Sequence, residues 1–151
     1  MTGESPVFVD TNVLLYSIDT ADSHRCRVAC RWMDSLWASR RGCISWQVLN
    51  EFYENAVRKF GVPPRSARGV VETFSDWSLA AFSLPLLRRA WRWMDTAELS
   101  YWDSLIVASA EDRGCQWLLS EDFQHGRAYG SVRVIDPFQT DLASVFPTGD
   151  L

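Results

Sequence analysis

Short apolar runs alternate with longer amphipathic stretches along this chain, and that alternation constrains its fold more than any other feature. Pro6-Val7-Phe8-Val9, Gly42-Cys43-Ile44-Ser45, Leu79-Ala80-Ala81-Phe82, Gln116-Trp117-Leu118-Leu119-Ser120 and Val132-Arg133-Val134-Ile135 read as buried strands. Between them, apolar residues recur at helical spacing. In 23–38 they are Val28, Ala29, Trp32, Met33, Leu36 and Trp37. A helix over 46–60 is stopped by Gly61, and another follows over 65–74. Pro85 suits the first turn of the next helix, which runs to about Asp95. Ser100 fits the N-cap of a helix over 101–113, with Gly114 just past its end. Strand and helix in alternation predict an α/β fold, a five-stranded parallel sheet with helices on both faces.

The 151 residues suit a single domain over 1–151, long enough to bury a core. No repeat, low-complexity tract or linker divides it. No signal peptide opens the chain and no apolar run approaches a membrane span of roughly 20 residues, so the expectation is a cytoplasmic protein with reduced thiols. Cys26 and Cys30, with His24 nearby, lack the spacing and the fourth ligand of a zinc site, and read as free thiols.

The net charge of -4 argues at first against nucleic acid, because phosphate contact needs cations. Two features answer this. Acids gathered in one site can be neutralised by metal. And all basic residues except Lys59 are Arg, which pairs with phosphate in bidentate fashion and stacks on bases.

Four acids fall where such sheets bind ligands, near the carboxyl ends of strands. Asp10 directly follows the first strand and Asp122 follows the fourth by two residues. Asp103 lies in the first turn of its helix, and Glu51 about one and a half turns into the helix after the second strand. Taken singly, each has an ordinary explanation: a turn or cap for Asp10 and Asp122, a helix-dipole anion for Asp103, a solvated helix acid for Glu51. Their apolar neighbours shift the balance. Tyr101-Trp102 and Leu105-Ile106-Val107 flank Asp103, and Val48-Leu49 and Phe52-Tyr53 flank Glu51. Partly buried carboxylates need a cation or a hydrogen-bond partner. Oxygen ligands without converging His or Cys suit Mg²⁺ or Mn²⁺, ions that serve phosphodiester hydrolysis.

In this setting Val7-Phe8-Val9-Asp10-Thr11-Asn12-Val13-Leu14-Leu15-Tyr16 resembles the opening motif of PIN-domain nucleases. Ser45-Trp46-Gln47-Val48-Leu49-Asn50-Glu51-Phe52-Tyr53 resembles the second, and Leu99-Ser100-Tyr101-Trp102-Asp103-Ser104-Leu105-Ile106-Val107-Ala108 the third. Leu118-Leu119-Ser120-Glu121-Asp122-Phe123 resembles the fourth, with Gly126 following. Each motif is weak alone; four in order over residues 7 to 138 are specific. The resemblance implies a PIN-like fold, a five-stranded parallel sheet with the acids at one edge. Small bacterial members resemble VapC-type toxins of toxin–antitoxin pairs. By that resemblance the chain is a Mg²⁺- or Mn²⁺-dependent endoribonuclease acting on tRNA or rRNA, often a homodimer, silenced by a cognate antitoxin. Asp10, Asp103 and Asp122 would be metal ligands and Glu51 a metal- or water-positioning carboxylate. Thr11, Asn12 and Ser120 would support them or contact phosphate. The motif position falls on Asp122, with Glu121 beside it. Trp46, Tyr53, Trp91 and Trp93 are candidates to line an antitoxin groove, although core packing is the commoner fate of aromatics.

Two other hydrolase-like readings fail on residues. A haloacid dehalogenase needs a second Asp where Asn12 stands, and a receiver domain needs an Asp after the third strand, where Phe82-Ser83 offers none. The remaining alternative is a catalytically weak PIN scaffold that only binds RNA or protein.

Overall fold

The computed structural model describes residues 5–147. The proposed single domain of 1–151 thus includes short terminal segments outside the described residues. Six strands form one sheet: β1 (Val7–Val9), β2 (Gly42–Ser45), β3 (Ser78–Ala80), β4 (Trp117–Leu119), β5 (Ala128–Tyr129) and β6 (Val132–Ile135). The helices are α1 (Thr11–Tyr16), α2 (Ser23–Ser39), α3 (Trp46–Arg58), α4 (Pro64–Phe74), α5 (Leu84–Ala97) and α6 (Tyr101–Asp112). The strand order is β3-β2-β1-β4-β6-β5, parallel throughout except where β5 pairs antiparallel with β6.

The parallel sheet has the five strands expected, and the sixth is an addition. Ala128–Tyr129 folds back on Val132 through a two-residue loop whose first member, Gly130, has φ +60°. That is the glycine position of a type II′ hairpin turn. The third strand is also shorter than its sequence suggests. It ends at Ala80, and Phe82 is exposed rather than buried. Helix α1 is absent from the sequence reading, because its six residues are too few to display a helical period.

The caps explain the helix starts. Ser45, Ser83 and Ser100 accept hydrogen bonds from the backbone N–H of Val48, Leu86 and Asp103, which satisfies a donor otherwise orphaned in the first turn. Crossover connections carry the chain outward from β1 to β2 and β3, then back past β1 to β4. The reversal makes the gap beyond the carboxyl ends of β1 and β4 a topological switch point, where ligands of open α/β sheets bind.

The central strands β1 and β2 are buried on both faces, and Val7, Phe8, Val9, Leu118 and Leu119 have no exposed surface. Trp77 closes the outer part of the sheet by lying against Gly42. A Cβ at Gly42 would come within 2.4 Å of the indole carbons, so only glycine allows this approach. Phe74 and Trp37 complete an aromatic cluster, with centroids 4.7 and 5.1 Å from Trp77. A smaller apolar contact, Leu86 and Ala90 against Leu105 and Ala108, joins α5 to α6. All four cysteines are free thiols. No helix among the described residues is long and apolar enough to cross a membrane.

Candidate active site

The parallel register of β1 and β4 pairs Val9 with Leu119, so the next residues, Asp10 and Ser120, emerge side by side. The Asp10 N–H donates to Leu119 O at 3.0 Å, which extends the ladder one step to the sheet edge. Asp10 then turns into α1 as its N-cap, its Oδ1 accepting from Thr11 N at 2.8 Å. The ordinary capping role and the site role thus fall on one residue. Its other oxygen, Oδ2, accepts from Ser120 Oγ at 2.8 Å and from Asn12 Nδ2 at 3.2 Å.

Asn12 joins the pieces. Its Nδ2 also reaches Ser120 Oγ and Asp122 Oδ2, each at 3.2 Å, and its Oδ1 accepts from Glu121 N at 3.0 Å. Ser120 Oγ accepts in turn from Asp122 N at 3.1 Å. Asp122 therefore faces this network. Glu121 turns away: Tyr16 OH donates to its Oε1 at 3.0 Å, and Arg25 pairs with its Oε2. Arg25 is itself held between the rings of Tyr16 and Phe138, at 5.0 and 4.7 Å from their centroids. Of the two adjacent acids, one is anchored by an arginine and the other is left to the site.

Glu51 enters from α3. Thr11 Oγ1 donates to its Oε2 at 2.6 Å and Gln47 Nε2 to its Oε1 at 3.0 Å. Gln47 lies four residues before Glu51, hence on the same helix face. It also donates to the carbonyl of Trp102 at 3.3 Å, so it ties α3 to the start of α6, one residue before Asp103. The sequence reading passed over Gln47, Tyr16 and Arg25. The four-residue spacing could have exposed the first; the others depend on a long-range partner.

The electrostatics bind the four acids into one unit. Burial pushes Asp10 up to about 7; the Ser120 and Thr11 hydrogen bonds oppose this, and the charges of Asp122 and Glu51 add to it. Asp103 is raised for the same reasons, burial first, with the Ser100 hydrogen bond opposing and the charges of Asp122 and Glu51 adding. No arginine or lysine figures among the groups that offset either. Apolar burial with unanswered like charge is what a cation would relieve.

A divalent ion fits this donor set in chemistry. The converging groups are carboxylate oxygens, which suit Mg²⁺ or Mn²⁺. As the side chains stand, no group of three or more His, Cys, Asp or Glu among the described residues encloses an ion by itself.

Of the four aromatics considered for a groove, two border different clefts. Tyr53 borders a cleft between α3 and α4 with Arg68, whereas Trp93 borders another with Arg89 and Arg92. Trp46 and Trp91 are exposed.

The sequence profile described as PIN domain matches residues 7–130. Among solved structures, the chain is similar to a toxin–antitoxin complex from Klebsiella pneumoniae, with TM-score 0.66 and 20% identity over 88% of this chain and 98% of that one. It is similar to Mycobacterium tuberculosis VapC20, a sarcin-ricin loop cleaving toxin, with TM-score 0.59 and 24% identity over 74% of this chain and 86% of that one. It is also similar to DNA-bound VapBC from Salmonella typhimurium, with TM-score 0.59 and 19% identity over 88% and 98% of the two chains. No curated protein matches it significantly in sequence.

Proposed function

The chain belongs to the PIN domain family, and on that premise we propose that it is a Mg²⁺- or Mn²⁺-dependent endoribonuclease, the toxin of a toxin–antitoxin pair. The observation that carries this reading is the cluster of Asp10, Glu51, Asp103 and Asp122 at the switch point, mutually repelling and without a basic partner. The similarity to toxins and toxin–antitoxin complexes supports the toxin role and an antitoxin as partner; structured RNA of the tRNA or rRNA class as substrate, a homodimer as assembly and the cytoplasm as location complete the proposal.

In this reading Asp10, Asp103 and Asp122 hold the ion. When bound, it supplies charge neutralisation and Lewis acidity toward the scissile phosphate and the attacking water. The protein's own contribution is orientation. Ser120, Asn12 and the Thr11 N–H fix both oxygens of Asp10 before substrate arrives. Asn12 sets the spacing of Asp10 and Asp122 through one amide. Thr11 and Gln47 hold Glu51 by one oxygen each, which leaves it lone pairs to orient a water and accept its proton.

The test is cleavage of a mixed pool of tRNA and structured RNA by the purified protein with Mg²⁺, Mn²⁺ or EDTA, beside Asp10→Asn. Discrete metal-dependent products absent from the variant are expected. Full cleavage in EDTA or by Asp10→Asn would remove the metal-site reading. No cleavage by a folded protein would favour the alternative of a PIN scaffold that only binds RNA or protein.

A further inference from the structure

Beside the carboxylates lies an open cleft of about 390 Å³, lined by Gln47, Asn50, Glu51, Phe82 and Trp102. Three observations set it apart from an ordinary surface hollow. Its aromatic walls are strongly exposed: Trp102 by 59% and Phe82 by 52%. Large apolar groups held in water beside a site need a reason. Second, Glu51 belongs to both the cleft and the carboxylate cluster, so an occupant of the cleft sits next to the chemistry. Third, Gln47 is only 6% exposed, and its Oε1 is buried with no hydrogen-bond partner. The Nε2 of the same amide is committed to Glu51 and to the Trp102 carbonyl, which fixes Oε1 as the unanswered end. A buried acceptor without a donor costs free energy until something donates to it.

We propose that this cleft receives one unpaired nucleobase of the RNA, adjacent to the scissile phosphate, with Trp102 as its stacking face and Gln47 Oε1 as the acceptor for an N–H on its edge. The inference rests on the ribonuclease reading and deepens it. The lining chemistry favours a base over a phosphate. No Arg or Lys lines the cleft, and Glu51 repels an anion. A neutral planar heterocycle with an N–H donor meets each wall in kind: the indole stacks, the amide accepts, and the carboxylate takes a further N–H. Unpaired bases are recognised in this way, by aromatic stacking and hydrogen bonds to their edges. A paired duplex presents no free face to Trp102, so the cleft selects loops and unpaired ends.

The experiment uses the full chain and the RNA that it cleaves, once its cut position is mapped. Wild type, Trp102→Ala, Trp102→Phe and Phe82→Ala are assayed on three probes. These are the intact RNA, the same RNA abasic on the 5′ side of the cut and the same RNA abasic on its 3′ side. Trp102→Ala should raise KM on intact RNA about tenfold or more and flatten base preference at the neighbouring position, with Trp102→Phe recovering most of the loss. One of the abasic RNAs should cost the wild type a similar factor and cost Trp102→Ala little further, because both remove the same contact. Unchanged KM and base preference in Trp102→Ala overturn the inference alone. So does a shift in oligomeric state by sedimentation with KM intact, which would make the cleft a face between copies. No cleavage of any RNA by the wild type overturns the ribonuclease reading itself.

Discussion

At the outer part of the sheet Trp77 lies on Gly42 and is boxed by Phe74 and Trp37, whereas past the carboxyl ends of β1 and β4 four acids converge and Trp102 and Phe82 stand in solvent. Both regions are built from the same strands. One removes most of its apolar surface from water, with the buried Trp77 Nε1 as its one polar atom without a partner among the described residues. The other keeps charges without counterions and aromatics without cover. The first region explains why the chain folds, and the second what the fold is for. Function is read from where charge and apolar surface are left without cover.

That contrast breaks cleanly under substitution. Asp103→Asn should lower cleavage a hundredfold or more, because charge stabilisation of this kind is worth several kcal/mol and about 1.4 kcal/mol is tenfold in rate. Its thermal midpoint should match or exceed that of the wild type, since a raised carboxyl is replaced by a neutral amide. A large loss of stability would place Asp103 in the structural half of the molecule. Gly42→Ala should do the reverse. Overpacking against Trp77 should cost about 1–3 kcal/mol by denaturant unfolding. Cleavage per folded molecule should stay the same. If Gly42→Ala is as stable as the wild type, the close approach of Trp77 is not what closes the sheet.

The pH dependence sharpens the comparison further. Asp10 sits near 7 in the fold against an ordinary value near 4, so the folded state binds more protons than the unfolded one between those values. Metal-free stability should therefore rise as pH falls from 7.5 to 5.5, by about 2 kcal/mol from this group. Asp10→Asn should flatten the slope, and so should saturating Mn²⁺. Equal slopes in calorimetric scans of all three samples would detach the acid cluster from stability. The smallest effect is expected at Arg25→Ala. It frees Glu121 and loosens the loop that aims Asp122, and should weaken Mn²⁺ affinity or activity about tenfold. Unchanged values would make the Arg25–Glu121 pair an ordinary surface contact.

The sheet and most helices were legible because burial leaves a period in the sequence. Val7–Val9 and Trp117–Leu119 are continuous apolar runs, and Ser45 and Ser100 mark helix starts. The four acids were legible as interruptions of such runs near strand ends. The short hairpin at β5 left only Gly130-Ser131 as its mark, a turn signal that escaped the reading. Helix α1 has six residues, too few to display a period. The motif position pointed to Asp122 over Glu121, but the contacts that turn Glu121 away come from Tyr16 and Arg25, about a hundred positions away in sequence, and no local pattern shows them. Gln47 has the same character. Its spacing to Glu51 is local, but its tie to Trp102 exists only once α3 meets α6.

The margins of the sheet have a consequence for how copies of this chain behave when crowded together. β3 ends one side after three residues and β5 the other after two. An unpaired margin so short presents too few free N–H and C=O groups to template a strand from another molecule. The parallel strands, which are slow to form and adhesive while exposed, end up flanked by pieces too brief to recruit more. The folded chain is thereby protected against fibre-like growth at its flanks, with no need for charge there.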